Sequence, residues 1–296
     1  MPRLTPQELA DRHLGMGATD VVEACGLAPW AGAGPMRLFC QKLGLKSENE
    51  EEDADPGRED AMEWGHVMEP VILDWYARTQ GVQMLPGGHV PHPVEPWLWA
   101  SLDASVIGAS RIVEVKNVSS PALYRHWDVS SADGVPAYVR AQVTIGMACH
   151  GAREAHVVAC VGGRPPHTWT VFYDAELADL LIQGAAAFWQ WVQDGTPPPL
   201  DATPATRTYL LDKYPANRER RMVEAPAYLE DTAMRRIEAA QGEKERGALK
   251  RLHDAQLLEA IGDADGIEGN GWRMTWKLDR NGKRRPRFTG KGCDDE

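Results

Sequence analysis

The chain has 296 residues and a formal net charge of −11 at pH 7, and 43% of its residues are hydrophobic. This length suits one large domain or a domain with an extension, and this hydrophobic fraction can supply a proper core. The negative charge argues against indiscriminate coating of nucleic acid, although a local basic groove can still act within an acidic chain.

No apolar run approaches the length of a transmembrane helix, and the N-terminus lacks the apolar region of a signal peptide. We therefore expect a soluble, cytoplasmic protein with no membrane partner. The five cysteines are scattered and include no Cys-x-x-Cys pair, which argues against a structural zinc or iron–sulfur site.

The N-terminal part of the chain predicts short helices separated by glycine turns. A helix, a turn at residues 15–19 and a second short helix are expected over residues 5–28. Another helix is expected over residues 35–43, with Gly44 as its stop.

An acidic stretch at about 47–60 is interpreted as a solvated loop. The helical pattern that follows, over about 60–79, ends at Gly81 and places Glu69 on a face with a three-and-four spacing. Pro70 should kink this helix or mark the start of a new segment.

Two apolar stretches with polar insertions, residues 97–103 and 111–116, predict β-strands joined by a turn that includes Gly108. Glu114 and Lys116 are two residues apart and therefore leave the same face of their strand, and Asp103 can reach that face. Two carboxylates beside an amine predict a metal site suited to phosphodiester hydrolysis. The alternative is a surface Glu–Lys ladder on an edge strand.

The middle of the chain predicts a helix over 136–150, a hairpin of strands 155–161 and 168–173, and a helix over 175–193. A proline run at 197–199 then ends the helical pattern. We expect one domain at 1–208 and an extension at 209–296.

The extension predicts one or two helices over 225–261 and a β-hairpin over 266–288, with a strong turn signal at residues 281–282. Basic residues alternate there with tryptophan, which suits DNA backbone contact and stacking, or docking of a partner protein, or a solvated hairpin. The candidate contact residues are Trp272, Arg273, Trp276, Lys277, Arg284 and Arg285.

The order of the candidate residues carries a family resemblance. Gly65-x-x-x-Glu69, Asp103, Glu114-Val115-Lys116 and Gln142 occur in the order typical of the PD-(D/E)XK nuclease superfamily. The N-terminal run 12–20 and the helix at 136–147 further resemble the YqaJ-type phage recombinases, the group that includes lambda exonuclease. The resemblance covers roughly residues 8–195. It implies an α/β fold with a mixed central sheet flanked by helices, followed by a helical and β-hairpin extension.

The resemblance also implies the roles of the active-site residues. Asp103, Glu114 and the Val115 carbonyl would bind Mg²⁺ or Mn²⁺, with two ions expected per site, because hard oxygen ligands suit these ions. Lys116 would hold or deprotonate the attacking water, and Glu69 would serve a second metal or orient the ligands. Gln142 would position Lys116 or the water.

A 5′-phosphate pocket is expected at Arg12 and Thr19, because arginine binds phosphate bidentately and a glycine turn at a helix start offers backbone N–H groups. Threonine stands where serine is common in the family. Tyr138 lies one helical turn before Gln142, and either phosphate contact or packing fits its position.

The resemblance therefore implies a metal-dependent exonuclease that degrades double-stranded DNA ends 5′→3′ and leaves 3′ single strands. By analogy, it would act in phage recombination with a single-strand annealing protein and form a homo-oligomer, a ring-shaped trimer. One alternative is a structure-specific or nicking endonuclease on the same fold. Another is a non-catalytic module that binds DNA or scaffolds a partner.

Overall fold

The structure is a computed structural model that describes residues 12–45, 56–118, 121–214, 226–227, 229–261, 264–269, 272–278 and 284–290. The chain forms two compact units, residues 1–216 and 217–296. The predicted boundary at residue 208 lies inside a helix that spans Pro204–Lys213.

The first unit contains seven α-helices in the described ranges and a 3₁₀ turn at Arg12–Leu14. The helices are α1 (Ala18–Ala24), α2 (Pro35–Lys42), α3 (Pro56–Gln80), α4 (Pro121–Tyr124), α5 (Ala137–His150), α6 (Ala175–Asp194) and α7 (Pro204–Lys213). The predicted helix stops are confirmed at Gly44 and Gly81, which adopt φ of +62° and +64°, a backbone region that favours glycine. Asp174 caps α6, because its side chain accepts a hydrogen bond from the Leu177 N–H.

The main sheet has five strands in the order β2-β5-β6-β7-β8. Its central pair, β6 and β7, is parallel, and the other pairs are antiparallel, so the sheet is mixed as predicted. A smaller sheet has the order β1-β4-β3. The strands are β1 (Met16–Gly17), β2 (Met84–Pro86), β3 (His89–Pro91), β4 (Leu98–Ser101), β5 (Ala104–Val106), β6 (Arg111–Val118), β7 (Glu154–Val161) and β8 (His167–Phe172).

The pairing predicted for the strand over residues 97–103 was wrong. Strand β4 ends at Ser101. After Leu102 and Asp103 a separate strand, β5, follows and pairs with β6. Strand β4 instead belongs to the smaller sheet, between β1 and β3. The backbone of Gly87 lies so close to Leu102 that a Cβ at Gly87 would stand 1.8 Å from the Leu102 carbonyl oxygen. Asp103 therefore lies at the junction of two sheets rather than at the end of a hairpin strand.

The helix α3 differs from its prediction at the acidic stretch, and Pro70 does not start a new segment. Residues 56–60 of the predicted acidic loop form the start of α3, and residues 46–55 lie outside the described part of the chain. The helix then continues through Pro70 to Gln80. Tyr76 anchors it to the sheet, because its hydroxyl is 2.8 Å from Nδ1 of the buried His156 on β7.

The core lies on both faces of the main sheet. Helices α1, α5 and α6 pack around a large apolar cluster that includes Ile112 of β6. A smaller cluster on the other face joins Val113 of β6 to Ile72 of α3. Helix α5 approaches the sheet closely, since a Cβ at Gly146 would lie 3.1 Å from Ile112. Because β6 is covered on both faces, the polar side chains on it are held by a rigid support.

The second unit contains a single described helix, α8 (Leu229–Ile261), where the sequence left one or two open. Three antiparallel strands follow: β9 (Gly266–Gly269), β10 (Trp272–Leu278) and β11 (Arg284–Gly290). The predicted turn at 281–282 lies outside the described residues. Ile261 of α8 and Met274 of β10 are buried.

Across the described ranges, no helix is both long enough and apolar enough to cross a membrane.

Candidate active site

A cavity of about 390 Å³ in the first unit collects the predicted catalytic and metal-binding residues. Its walls come from β4 and β6 and from the helices α1, α3 and α5. Asp103, Glu114, Val115, Lys116, Gln142, Glu69 and Thr19 line it, together with residues that the sequence did not single out.

Strand β6 supplies the centre of the cavity. Glu114 is 5% exposed and Lys116 lies two residues further along the same face, as the alternation of a strand requires. The backbone N–H of Val115, between them, donates a 2.7 Å hydrogen bond to Oδ2 of Asp103. This bond ties the junction between β4 and β5 to the middle of β6, and so brings the two carboxylates together.

Lys116, Glu114 and Gln142 form a closed ring of hydrogen bonds. Lys116 Nζ donates to Glu114 Oε1 at 2.6 Å and to Gln142 Oε1 at 2.9 Å. Gln142 Nε2 donates to the same Glu114 oxygen at 2.8 Å. The amide of Gln142 thus uses both its donor and its acceptor, which fixes the position of the lysine.

The surroundings of Asp103 and Lys116 shift the pKa values of both side chains. Burial first, and then the nearby Glu114 carboxylate, hold the pKa of Asp103 well above its ordinary 3.8, although Lys116 and the Val115 N–H act in the opposite direction. Burial works against the charged form of Lys116, but the carboxylates of Glu114 and Asp103 outweigh it and raise the lysine pKa above its ordinary 10.5. In this arrangement Lys116 is a cationic hydrogen-bond donor rather than a proton acceptor.

The half-buried Asp103 and the buried Glu114 carry the carboxylates that could hold a hard cation. Within the described ranges no three His, Cys, Asp or Glu side chains are grouped closely enough to hold a metal ion by themselves. Two carboxylates, a backbone carbonyl and water fit Mg²⁺, which keeps several waters and binds through one or two carboxylates. Burial, and after it the neighbouring carboxylates, raise the pKa of Asp103, and a cation would offset the effect of those carboxylates.

Helix α3 contributes the outer wall of the cavity. The helix lines the cavity with Gly65, His66 and Glu69. Gly65 and Glu69 are one helical turn apart. A Cβ at Gly65 would meet no protein atom within 4 Å, so this glycine leaves space in the cavity. Glu69 adds a third carboxylate whose charge also raises the pKa of Asp103.

Of the predicted phosphate-binding residues, Thr19 lines the cavity and Tyr138 does not. Thr19 is exposed in the first turn of α1 and lines the cavity. The backbone of Arg12 lies in the 3₁₀ turn before it, but its side chain falls outside the described part of the structure. Tyr138 is half-buried and packs edge-to-face on Trp30 at 6.4 Å between ring centroids. It does not line the cavity, but its phenol is close enough to Lys116 to feel that charge.

Sequence reasoning missed a buried ion pair beside the cavity. Lys42 at the end of α2 is 6% exposed, and its Nζ donates to Asp20 Oδ2 at 2.6 Å and to the Gly15 carbonyl at 2.7 Å. The same Asp20 oxygen accepts the Gly17 N–H at 2.9 Å. These bonds fix the glycine turn whose continuation, from Gly17 to Asp20, lines the cavity. A lysine and an aspartate 22 residues apart give no local signal of this contact.

An aromatic wall was also missed, although its signal was present in the sequence. Trp99 and Ser101 precede Asp103 at intervals of two, and all three line the cavity. His89, which was not among the predicted site residues, lines the cavity as well. Its ring centroid lies 5.3 Å from that of Trp99. The glycine turn makes room for this wall, since a Cβ at Gly15 would stand 2.3 Å from the Trp99 ring.

The predicted contact residues of the extension lie in the second unit. Trp272 stacks on Phe288 with 5.9 Å between ring centroids and an interplanar angle of 13°. Arg273, Lys277 and Arg285 are exposed, and Trp276 is half-buried. The side chain of Arg284 falls outside the described part of the structure.

Comparison with known proteins gives a family match and a fold match. The YqaJ-like viral recombinase domain matches residues 9–153, a range that contains every catalytic candidate. No curated protein matches the chain. Among solved structures, the alkaline exonuclease LHK-Exo from Laribacter hongkongensis, in complex with dAMP, is 20% identical with a TM-score of 0.51. That match covers 71% of this chain and 97% of LHK-Exo.

A second solved structure is more distant. A phage-related exonuclease from Haemophilus somnus 129PT is 11% identical, with a TM-score of 0.39, and its match covers 45% of this chain and 71% of that one. The LHK-Exo match shows that this chain has the fold of that exonuclease. The predicted resemblance to the YqaJ-type recombinases is confirmed for residues 9–153, which match the YqaJ-like viral recombinase domain.

Proposed function

We propose that this protein is a metal-dependent exonuclease that degrades double-stranded DNA ends 5′→3′. The observation that carries the proposal is the hydrogen-bonded assembly of Asp103, Val115, Glu114, Lys116 and Gln142 around one cavity. Such an assembly supplies two carboxylates for a cation and a fixed cationic donor for a phosphate. The match of residues 9–153 to the YqaJ-like viral recombinase domain supports exonuclease activity as the chemistry of that cavity.

The residues of the cavity divide the work of phosphodiester hydrolysis. Asp103 and Glu114, with the Val115 carbonyl, would hold Mg²⁺ or Mn²⁺, with a second ion near Glu69. A bound metal polarises the scissile phosphate and lowers the pKa of a bound water. Lys116, protonated and held by Gln142, would bind that water or stabilise the negative charge that develops on the phosphate.

The direction of digestion would follow from a 5′-phosphate pocket at Arg12 and Thr19. Thr19 supports this proposal because it lines the same cavity as the carboxylates. By resemblance to lambda exonuclease, we further propose a trimeric homo-oligomer that acts in the host cytoplasm. The 3′ single strands it leaves would pass to a single-strand annealing protein in phage-type recombination.

Digestion of defined DNA ends tests this function. Purified full-length protein is incubated with linear duplex carrying a 5′-phosphate or a 5′-hydroxyl, labelled at either end, with Mg²⁺, Mn²⁺ or EDTA. We expect release of 5′ nucleotides in either metal, faster from the phosphorylated end, and none in EDTA. Absence of digestion in both metals would overturn the nuclease proposal, and efficient cleavage of covalently closed circular DNA would indicate an endonuclease.

A matched pair of variants assigns the activity to the cavity. Glu114→Gln keeps the size of the side chain and removes its charge, and should lower the rate by about 100-fold or more. Glu176→Gln makes the same change on the exposed first turn of α6, away from the cavity, and should leave the rate unchanged. Full activity of Glu114→Gln would place the catalytic centre elsewhere.

A further inference from the structure

The small sheet of the second unit separates the aromatic and basic residues that adjoin one another in the sequence. Successive side chains of a strand point to opposite faces. Trp272, Met274 and Trp276 therefore share one face of β10, while Arg273 and Lys277 share the other. Met274 is 2% exposed and Trp272 stacks on Phe288, so the first face is a packed layer. The tryptophans are thus engaged in packing rather than offered on the face that carries the cations.

The register of β10 and β11 completes a basic face. Lys277 is directly opposite Arg285, and Thr275 is directly opposite Arg287. Directly opposed residues of an antiparallel pair lie on the same face. We define the basic face by its members: Arg273, Thr275, Lys277, Arg285, Arg287 and Thr289. All four cationic members are exposed.

The charge of this face is unusual for the chain that carries it. The whole sequence has a net charge of −11, yet the basic face has four exposed cations. Glu268 of β9 pairs with Arg273 at 2.6 Å. An exposed pair of this kind holds its partners weakly. A face of this charge suits a polyanionic ligand.

We propose that the basic face binds the phosphate backbone of DNA, at a place outside the nuclease cavity. Arginine, lysine and threonine are the side chains that commonly contact phosphate oxygens. Side chains on one face of a strand recur about every 7 Å, which presents the cations as a row rather than as a single pocket. Because the aromatic side chains pack on the opposite face, binding here is electrostatic and independent of base sequence.

The choice of DNA as the polyanion rests on the proposed function. The test is therefore made without catalysis, by equilibrium binding of a fluorescent duplex to the full-length protein in EDTA over a series of salt concentrations. Lys277→Gln/Arg285→Gln removes one lysine and one arginine from the basic face. Lys250→Gln/Arg251→Gln makes the same charge change on the exposed side of α8 and serves as the matched control.

We expect the basic-face variant to bind duplex about tenfold more weakly near 0.1 M salt. The slope of log K against log salt should fall by about two, because two phosphate contacts are lost. The control should retain nearly the wild-type affinity and slope. Thermal unfolding of both variants, monitored by circular dichroism, should match the wild type.

Three results would overturn the proposal. An unchanged salt slope in the basic-face variant would show that this face does not contact phosphates. An equal loss of affinity in the control would show that the change in net charge alone causes the effect. Competition by poly-glutamate as efficient as that by unlabelled DNA would assign the face to an acidic protein partner. Since binding is measured in EDTA, failure of the protein to digest DNA leaves this test intact.

Discussion

Replacement of Lys42 by methionine removes the buried ammonium group while it preserves most of the apolar stem. The Nζ of Lys42 donates hydrogen bonds to the Asp20 carboxylate and to the Gly15 carbonyl. Its side chain is 4% exposed, whereas that of Asp20 is 24% exposed. The substitution therefore leaves a carboxylate without its cation and a buried carbonyl without a donor.

The expected loss of stability follows from the burial of the pair. Breaking a buried ion pair by removing one partner typically costs about 3–5 kcal/mol. Asp20 keeps some contact with water and still accepts the Gly17 N–H, so the lower end of this range applies, about 3 kcal/mol. That is a large part of the roughly 5–15 kcal/mol by which folded domains are stable.

Urea unfolding of the full-length protein measures this loss. Lys250→Met, at an exposed position of α8, is the matched control and should change the free energy of unfolding by less than about 0.5 kcal/mol. Asp20→Asn completes a double-mutant cycle with Lys42→Met, and a coupling of about 1–3 kcal/mol is expected for residues in contact. A loss below about 1 kcal/mol, or no coupling, would refute the structural role assigned to Lys42.

Three further changes test the site and its support. Gln142→Ala removes the amide that holds Lys116, and should slow digestion about 10–100-fold with little change in unfolding temperature; wild-type rates would contradict the hydrogen-bond ring. Asp103→Asn removes one negative charge from the cavity, so the binding free energy of a phosphate roughly 8 Å away becomes more favourable by about 0.5–2 kcal/mol. DNA binding in EDTA should therefore tighten while digestion in Mg²⁺ is lost, and weaker binding would argue against the charge balance described. Burial, then the Arg111 charge, lowers the pKa of His156 below its ordinary 6.5, although Glu154 raises it. The unfolded chain then binds a proton at a higher pH than the folded one, so stability is complete above about pH 6.5 and falls as the pH drops towards the folded pKa. His156→Gln should remove this part of the pH dependence in urea unfolding, and an unchanged slope would exclude His156 as its source.

The candidate catalytic residues could be grouped from the sequence because their relations are local or follow a family order. Glu114 and Lys116 share a strand, so the period of two places them on one face. Asp103 was placed beside that strand by the predicted turn, whereas only the resemblance to PD-(D/E)XK nucleases linked Glu69 and Gln142 to it. The cavity that these five residues line agrees with that order.

The remaining features depend on contacts that neither period nor order encodes. Lys42 meets Asp20 because helix α2 packs beside the start of α1, a tertiary contact between short elements. The three-residue strand β5 is too short to give a sequence pattern, and its omission caused the wrong pairing of β4. The tryptophans and cations of β10 were the opposite case. Their alternation was visible, and the same period of two assigns Trp272 and Arg273 to different faces.

The charge of the cavity in the first unit has the opposite sign to that of the basic face in the second unit. Four carboxylate side chains line the cavity, those of Asp20, Glu69, Asp103 and Glu114, and Lys116 is the lysine among its lining residues. Without a divalent cation such a cavity would repel a phosphate, because like charges in a partly buried site are poorly screened. Under the proposed function, the attraction that first retains DNA would therefore come from a surface of positive charge, and the basic face of β10 and β11 has the required sign. The proposed metal dependence and the proposed electrostatic contact are thus two consequences of the same excess of negative charge around Lys116.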